Sequence, residues 1–439
     1  MYCGSCFRDN AMAVELLARG HDVTLVPLYT PMTLDEPSVS RNEVLFGGIS
    51  VYLKQYLGLL RTTPRFLDRL WDSPRLINAF AGRSVSTDPK LLGDLTISML
   101  QGDRGVLRKE FDKLREWLAG EPVPDIVNLP NSLLIGLAGP LREALNRPIC
   151  CTLSGEDLFL DGLIDPYRRQ AIELIQQQVT DVDRFIAVSD FYAPAMARLL
   201  QIPSDRMAVV PLGINLKGYE MRRPGDDTFR VGYFARIAPE KGFHLLADAY
   251  QFLRRRTAGA HIRFEAAGYL PPANARYLEG VKRGLEKAGL ASEFTYRGAL
   301  DRDGKLAFLR SLSVLSVPAT YDEPKGMFLL EAMASGVPVV QPRRGAFTEI
   351  VEKTGGGVLV APDDAAALAD GLYELWKDRA RAQSLGERGY QEVREHYSIT
   401  HSADRLLKVY EDLLSAKDSE DHGRGQRAKG KLDPARFAR

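Results

Sequence analysis

The sequence has no long hydrophobic run. No stretch of its 439 residues reaches the ~18 uninterrupted apolar residues that a membrane-spanning helix needs. Its first residues, MYCGSCFR, also lack the basic start and apolar core of a secretory signal. We therefore expect a cytoplasmic protein.

Cysteine is scarce. The chain has four cysteines, in two close pairs, Cys3/Cys6 and Cys150/Cys151. Cys150 and Cys151 lie in an apolar run and are interpreted as small core residues. The spacing of Cys3 and Cys6 occurs in zinc and redox sites, but no second cysteine pair or close histidine pair completes a zinc site, and no strand precedes Cys3. The sequence thus predicts reduced thiols and no bound metal.

An excess of charge of one sign is also missing. Lys and Arg (58) nearly balance Asp and Glu (57), which leaves a net charge of +1. The chain has no global field that would attract nucleic acid, so an anionic ligand must be bound by a local cluster. A chain of 439 residues is too long for one hydrophobic core and is expected to form at least two domains.

Hydrophobic strands alternate with helical segments over residues 1–216. Strands are predicted over residues 22–28, 125–129, 149–153, 184–188 and 207–211. Buried strands separated by helices predict a parallel sheet with right-handed crossovers. This part is interpreted as a doubly wound α/β domain with a helix-rich insertion over about 47–118.

A polar linker over residues 217–228 interrupts this pattern, which then restarts. Strands are predicted over residues 229–234, 261–267, 294–297, 313–317, 337–341 and 357–360, within a second α/β domain of residues 229–396. A last helix over residues 397–415 precedes a charged tail, 416–439, that is predicted to be disordered. Two such sheets place two crevices at their strand C-termini, facing each other across a cleft.

The strongest chemical signal is the segment DEPKGMFLLEAMASGVP at residues 322–338. It follows a buried strand and opens a helix, so the amides of Gly326, Met327 and Phe328 are donors at a positive dipole end. Glu323 precedes the helix and Glu331 lies further along it, where one carboxylate can reach a sugar and the other can accept from ribose hydroxyls. The alternative for Glu331 is a capping or solvated residue.

Two cations follow the first strand of the same domain. Arg236 and Lys241 lie in the segment FARIAPEKG at residues 234–242, at the strand end where a diphosphate requires positive charge. The alternative is a pair of solvated surface cations. Because both segments fall at the same end of one sheet, we favour a shared anion site.

With these motifs the chain resembles the retaining GT-B enzymes of glycosyltransferase family 4 over nearly its whole length. Residues 19–25, 186–189, 210–215 and 345–351 and the closing helix also match. The resemblance implies two Rossmann-like domains facing across a cleft, the first for the acceptor and the second for a nucleotide-sugar donor. It also implies hexosyl transfer in polysaccharide or glycolipid synthesis.

The resemblance assigns roles to residues on both sides of the cleft. Glu331 would bind the donor ribose and Glu323 the donor sugar. The diphosphate would be held by Arg236, Lys241 and the amides of Gly326, Met327 and Phe328. Gly298 would open the loop that contacts the base through its backbone, and Gly4 would face the donor phosphates.

The implied mechanism is a front-face displacement with retention. The departing diphosphate takes the acceptor's proton while Arg236, Lys241 and the helix dipole stabilise its charge, so no metal or cofactor is required. The carboxylate pairs Asp181/Asp183 and Asp301/Asp303 do not lie where a nucleotide-bound metal would, and are interpreted as caps or solvated charges.

The sequence departs from the family pattern near the donor sugar. Ser154 stands where the family usually has a histidine; it can donate a hydrogen bond but cannot become cationic. Glu156 or Asp157 could supply a sugar contact, with helix capping as the alternative. Lys325 replaces an aromatic or small residue; it would favour an anionic donor sugar, unless it pairs with Glu323 or faces solvent.

Other functions and the acceptor stay open. The alternatives are a nucleotide-sugar-binding protein without transfer activity and a nucleotide-sugar epimerase or hydrolase of the same fold. The acceptor is a carbohydrate, a lipid-linked or a small molecule. The segment over about 52–70 either packs on its own domain or makes a peripheral contact with the inner membrane face.

The start of the chain carries a further expectation. A doubly wound domain has a strand before its first crevice loop, whereas Met1 already falls within that loop and Phe7 starts a helix. We therefore expect a first-domain sheet that begins with residues 22–28 beside a vacant strand position, and a natural start upstream.

Overall fold

The structure is a computed structural model that describes residues 4–28, 34, 36–41, 92–222 and 227–429. Its first helices are α1 Gly4–Ala18, α2 Gly93–Leu100, α3 Arg108–Leu118, α4 Ala138–Leu145, α5 Asp157–Gly162, α6 Tyr167–Gln177 and α7 Tyr192–Leu200. The later helices are α8 Phe243–Arg256, α9 Ala275–Lys287, α10 Arg302–Ser311, α11 Met327–Ala334, α12 Gly345–Thr354, α13 Ala365–Lys377, α14 Arg379–His396 and α15 Ile399–Lys429.

The strands alternate with these helices. In the N-terminal domain they are β1 Val127–Leu129, β2 Ile149–Leu153, β3 Arg184–Ala187 and β4 Met207–Val209. In the C-terminal domain they are β5 Phe229–Phe234, β6 Ile262–Ala267, β7 Phe294–Tyr296, β8 Val314–Leu315, β9 Val339–Pro342 and β10 Gly357–Val360. Both domains therefore have the predicted α/β character.

The strands β1 to β4 form a parallel sheet in that order. Every residue of β2 is buried, as expected for a strand that is covered by helices on both faces. Burial raises the pKa of Cys150 to about 12 and raises that of Cys151 well above its usual value. The adjacent cysteines are therefore protonated core residues, as the sequence predicts.

The C-terminal sheet has six parallel strands among the described residues, in the order β10-β9-β8-β5-β6-β7. From β5 the chain adds β6 and β7 on one side, then returns to place β8, β9 and β10 on the other. The strand order thus reverses between β5 and β8. Open α/β sheets bind ligands at such a reversal, beyond the carboxyl ends of the strands.

Residues 22–28 do not form the predicted first strand. Leu25 makes an isolated parallel bridge with Ser40, and the described sheet begins at β1 instead. A parallel strand requires a hydrogen-bonding neighbour along several residues, which a single bridge does not supply. The prediction that the sheet begins with residues 22–28 is therefore wrong.

Helix α15 packs on the N-terminal domain. Leu406 and Leu413 join a buried cluster with Leu16 of α1 and Ile186 of β3. The Ser402 hydroxyl donates to the carbonyl oxygen of Pro211 at 2.6 Å. The helix continues to Lys429, so residues 416–429 are helical where the sequence predicted a disordered tail.

Part of the predicted insertion lies outside the described residues. Its end is helical, with α2 and α3. Residues 42–91, which include the amphipathic segment over about 52–70, are not described. Within the described residues, no helix combines the length and the apolar character that a membrane crossing requires.

Candidate active site

A cavity of about 390 Å³ lies between the two domains. Its N-terminal wall includes α1, Glu36, Gly155 and residues 213–215, and its C-terminal wall includes the loops after β5 and β8 and the start of α11. Because β5 and β8 flank the reversal in strand order, the cavity occupies the position where an open α/β sheet binds its ligand.

The start of α11 lines the cavity with Met327 and Phe328. Gly326 precedes the helix with a φ of +67°, and its carbonyl oxygen accepts from the amide of Leu329 at 2.9 Å. The amides of Met327 and Phe328 therefore come before the first intrahelical hydrogen bond. They are donors at the positive end of the helix and suit a phosphate group.

Glu323 is held in a buried cluster in front of this helix. Its side chain is 4% exposed and pairs with Lys241, while the Tyr321 hydroxyl donates to the same carboxylate. Lys241 also donates to the Tyr321 hydroxyl at 2.6 Å. The three groups form a closed network, so each holds the others in place.

The backbone of Glu323 is fixed by α12. The amide of Ala346 donates to the carbonyl oxygen of Glu323 at 2.8 Å. A Cβ on Gly345 would stand 2.6 Å from that oxygen, so this close approach requires glycine. The position of the carboxylate thus depends on a helix that follows it in sequence.

The electrostatic surroundings keep Glu323 ionised. Burial alone would raise the pKa of this carboxyl group, but the charges of Lys241 and Lys325 and the hydrogen bonds from Lys241 and Tyr321 outweigh burial and lower the pKa to about 2. At neutral pH, Glu323 is a carboxylate that accepts hydrogen bonds. It does not hold a proton that it could give to a leaving group.

Glu331 is the centre of a second buried network. Its Oε1 accepts from Lys305 Nζ at 2.8 Å and from the Tyr219 hydroxyl at 2.9 Å. All three residues line the cavity. The pairing fixes one carboxylate oxygen of Glu331 and excludes the capping or solvated role that was its alternative.

Arg236 completes the C-terminal wall. Its side chain is 43% exposed and pairs with Glu240 at 2.5 Å. The structure therefore brings Arg236, Lys241, Glu323 and Glu331 to one cavity together with the start of α11, as the sequence predicts. Their roles toward a donor stay predictions.

Of the other predicted residues, some line the cavity and some do not. Gly4 and Lys325 line the cavity, and Lys325 Nζ donates to the Ser5 hydroxyl at 3.3 Å. Ser154 is buried outside the lining, with its hydroxyl 3.0 Å from that of Ser5. Gly298 accepts from the amide of Gly268, and the next residues, Ala299 and Leu300, line the cavity instead.

Glu156 and Asp157 do not contact the cavity. The Glu156 carboxylate accepts from the amide and hydroxyl of Ser132 and from the amide of Ser154, while Asp157 accepts from the Tyr192 hydroxyl at 2.7 Å. These bonds satisfy both carboxylates inside the N-terminal domain. A sugar contact from either residue is therefore not supported, and their role is to hold the turn after β2.

One aspartate of each predicted pair has a structural contact. Asp301 caps α10 by accepting from the amide of Gly304 at 2.8 Å, and Asp183 pairs with Arg142 at 2.6 Å. The described residues contain no group of three or more histidine, cysteine or acidic side chains arranged to hold a metal.

Sequence reasoning missed several residues of the site. Tyr219, Lys305, Tyr321 and Arg302 line the cavity. A signal existed for Lys305, because it lies on the buried face of α10 beside Leu306, where an apolar residue is expected. The other three stand in or beside loops, and only the folded chain brings them to the cleft.

Two family descriptions match the chain. Residues 98–217 match "Glycosyltransferase Family 4" and residues 222–392 match "Glycosyl transferases group 1". The two matches meet at the linker and together take in both described sheets.

Curated relatives match parts of the chain. It is 28% identical over 262 residues to the D-inositol 3-phosphate glycosyltransferase of Nocardia farcinica, covering 57% of this chain and 56% of the relative. It is 30% identical over 199 residues to the lipopolysaccharide core biosynthesis mannosyltransferase LpsB of Rhizobium meliloti, covering 42% of this chain and 52% of the relative. The chain thus matches about half the length of each.

Solved structures share the fold. A sucrose-phosphate synthase from Thermosynechococcus elongatus superposes with a TM-score of 0.66 at 20% identity, covering 92% of both chains. HepE of Anabaena, in complex with UDP, superposes with a TM-score of 0.59 at 20% identity, covering 71% of this chain and 85% of HepE. The chain thus combines a Family 4 match with a group 1 match, each over one of its two α/β domains, and shares the GT-B fold of these solved structures.

Proposed function

We propose that this protein transfers a hexosyl group from a nucleotide-diphosphate sugar to an acceptor on its N-terminal domain, with retention at the anomeric carbon. One observation carries the proposal. The cavity between the domains joins Arg236, Lys241 and the amides at the start of α11 on one wall, and faces α1 on the other. A donor and an acceptor can meet there, and closure of the domains would exclude water.

The cations and helix amides that line the cavity support a position for the donor. Its diphosphate binds between Arg236, Lys241 and the amides of Met327 and Phe328, which together supply cationic and neutral donors. Its ribose lies at Glu331, whose second carboxylate oxygen can accept from a hydroxyl. HepE, which shares the fold, has been solved with UDP and with UDP-glucose, which supports a nucleotide sugar as the ligand class.

The chemistry follows from the same groups. As the bond to the diphosphate breaks, negative charge grows on the leaving oxygen in front of Lys241, Arg236 and the α11 dipole, which are already in place. That oxygen takes the proton of the acceptor hydroxyl, which attacks from the same face. Glu323 accepts hydrogen bonds from the sugar hydroxyls and orients the ring. The mechanism calls for no divalent metal.

A glycosidase is disfavoured by the state of Glu323. Hydrolysis by a carboxyl pair needs one protonated acid with a raised pKa. The pKa of Glu323 is instead lowered to about 2 by its cationic neighbours, which outweigh the effect of burial. A nucleotide-sugar binder without turnover and an epimerase or hydrolase of the same fold are the other candidates, and an assay separates them.

The relatives do not name one acceptor for this chain. Their printed names specify an inositol phosphate in one case and a lipopolysaccharide core in another. Because the chain matches about half of each, we carry over only the reaction type. A peripheral membrane contact of the segment over about 52–70 stays a prediction.

Two experiments test the proposal, first a binding assay and then a turnover assay. A thermal-shift panel of nucleoside diphosphates should show one base that raises the melting temperature in a concentration-dependent way. The matching UDP-, GDP- or ADP-sugars are then incubated with candidate acceptors. NMR of the product should show the same anomeric configuration as in the donor, and EDTA should not lower the rate of product formation. No nucleotide binding would refute the proposal; binding with only free sugar or an epimer as product would favour the alternatives.

A further inference from the structure

Helix α1 turns one face toward the cavity. Gly4, Phe7, Arg8 and Ala11 all line it, and this spacing of three and four residues is that of a single helical face. The N-terminus of the helix is at the same wall. Arg8 is thus the cation that the N-terminal domain presents, among the described residues, directly to the cleft.

Arg8 is buried and incompletely paired. Its side chain is 8% exposed. Nε and Nη2 donate to Asp9 Oδ1 at 2.8 and 2.6 Å, and Nη2 also donates to the carbonyl oxygen of Pro130 at 3.3 Å. The remaining nitrogen, Nη1, is buried without a hydrogen-bond partner. A guanidinium keeps its charge at all physiological pH values, so a buried donor without an acceptor is costly unless a ligand supplies one.

No carboxylate that lines the described cavity pairs with Arg8. Each carboxylate that lines the described cavity already has a cationic partner that also lines it. These pairs are Glu36 with Arg302, Glu323 with Lys241, and Glu331 with Lys305. Arg8 and Arg236 also line the cavity, whereas their ion-pair partners, Asp9 and Glu240, do not.

Arg8 does not lie on the wall where we place the donor diphosphate. Arg236 and Lys325 stand beside the start of α11, on the donor wall. Arg8 stands on the opposite wall, where the proposed function places the acceptor. An anionic group there would meet the guanidinium of Arg8.

We infer that Arg8 forms part of an acceptor subsite for an acidic group. The acceptor would be a hydroxyl-bearing molecule that carries a phosphate or a carboxylate. The role of this subsite in binding an acceptor rests on the proposed function, but the binding of an anion there does not depend on transfer activity. Arg8 binds and positions the acceptor and takes no part in the bond exchange.

The test compares matched sugars that differ in charge. Calorimetric titrations with glucose, glucose 6-phosphate and glucuronate are made with the full chain saturated with the nucleoside diphosphate that binds it, so that the donor phosphate site is filled. We expect the acidic sugars to bind about tenfold or more tightly than glucose, because one charge-assisted hydrogen bond contributes about that factor. A preference for glucose 6-phosphate over glucuronate would select phosphate as the recognised group, and the reverse would select carboxylate.

Variants assign the preference to a residue. Arg8→Gln should abolish the preference for acidic sugars while leaving the affinity for the nucleoside diphosphate unchanged. If the glutamine variant folds poorly, Arg8→Lys is used in its place and should retain part of the preference. Arg168→Gln is the matched control, since Arg168 is an exposed arginine that pairs with Asp161. Equal binding of the three sugars, an unchanged preference in Arg8→Gln, or a loss that follows Lys325→Met instead would each overturn the inference.

Failure of the inference and failure of the proposed function give different results. If no nucleoside diphosphate binds, the proposed function fails, and the same sugars titrated without nucleotide still report whether Arg8 binds an anion. If the nucleotide binds and the sugar preference is absent, the proposed function stands and the acidic subsite is wrong.

Discussion

The chemistry of the site depends on buried ion pairs. Lys241 with Glu323 and Lys305 with Glu331 are pairs in which every side chain is at most 14% exposed. In such surroundings a charge that loses its partner is strongly destabilising, because it keeps its desolvation cost. These residues therefore support the local structure, and the effect of a substitution on binding or rate must be read together with a stability measurement.

Replacing Lys241 tests the cation that we place at the leaving diphosphate. Lys241→Met should lower kcat by roughly 10²–10³, because a preorganised charge is lost where negative charge develops. The assay is initial rate with saturating donor and acceptor, with circular dichroism to confirm folding. Lys287→Met, at an exposed lysine at the end of α9, should leave kcat unchanged. An unaltered kcat in Lys241→Met would contradict the proposed role.

Replacing Glu331 tests the ribose contact. Glu331→Gln keeps the shape of the side chain but removes the charge that pairs with Lys305. We expect the affinity for the nucleoside diphosphate to fall about tenfold, as for the loss of one charge-assisted hydrogen bond, with a smaller change in kcat. The measurement is a calorimetric titration. Glu286→Gln, an exposed position on α9, is the control, and equal affinities in the two variants would refute the assignment.

At the scale of elements, hydrophobic patterns predicted most strands well. The strands Ile149–Leu153, Phe229–Phe234 and Gly357–Val360 have the bounds that the sequence predicted. The predicted strand over 313–317 is shorter, because only Val314–Leu315 pairs with its neighbours. Periodicity indicates that a segment is buried, but the length of a ladder is set by the strands beside it.

The turn into α11 is an element that requires glycine. Gly326 has a φ of +67°, and a Cβ there would stand 2.8 Å from Ile350 Cδ1. Gly326→Ala should therefore lower the free energy of unfolding by roughly 1–3 kcal/mol and weaken nucleotide binding, since the amides of the first turn move. The measurement is urea unfolding together with nucleotide titration.

Gly284 offers a matched control for that substitution. It lies within α9, and nothing stands within 4 Å of the Cβ that alanine would add. Gly284→Ala should stabilise the protein by up to roughly 1 kcal/mol, because alanine is the better helix former. If both variants shift stability in the same direction, the strain assigned to Gly326 is wrong.

At the scale of the whole molecule, the two domains touch through defined contacts beside the cavity. The Ser189 hydroxyl donates to the carbonyl oxygen of Pro324 at 2.9 Å, and the amide of Phe191 donates to Glu349 at 2.8 Å. Helix α15 crosses from the C-terminal domain to pack on α1. These contacts hold the N-terminal domain against the segment that carries Glu323.

The acid stability of the molecule should depend on Glu323. Its pKa in the folded protein is lowered from 4.5 to about 2, because the nearby cations and hydrogen bonds outweigh burial. A depressed carboxyl pKa stabilises the fold above the unfolded value, and this stabilisation is lost as the pH falls from about 4.5 to about 2. The contribution is at most roughly 3 kcal/mol.

Urea unfolding at pH 7, 4 and 3 measures this dependence in the native protein and in Glu323→Gln. The glutamine variant should be the less stable at pH 7, and the difference should shrink at pH 3, where the native carboxylate is losing its advantage. A difference that stays constant or grows with acid would contradict the low pKa.

The sequence by itself determined the class of fold and several of the residues of the C-terminal domain that line the cavity. Strand and helix periodicity defined two α/β units, and local order put Glu323, Glu331 and the start of α11 in one short segment, with Arg236 and Lys241 at the corresponding strand end. These features depend on near neighbours in the chain, which a pattern can report.

Only the tertiary structure decided which distant groups meet. Tyr219 and Lys305 reach Glu331, Tyr321 reaches Lys241, and Arg8 lines the same cavity from the other domain. Burial and pairing then gave these residues their charge states, as in the low pKa of Glu323. Such contacts depend on how sheets and domains pack, a physical property that no local pattern of residues contains.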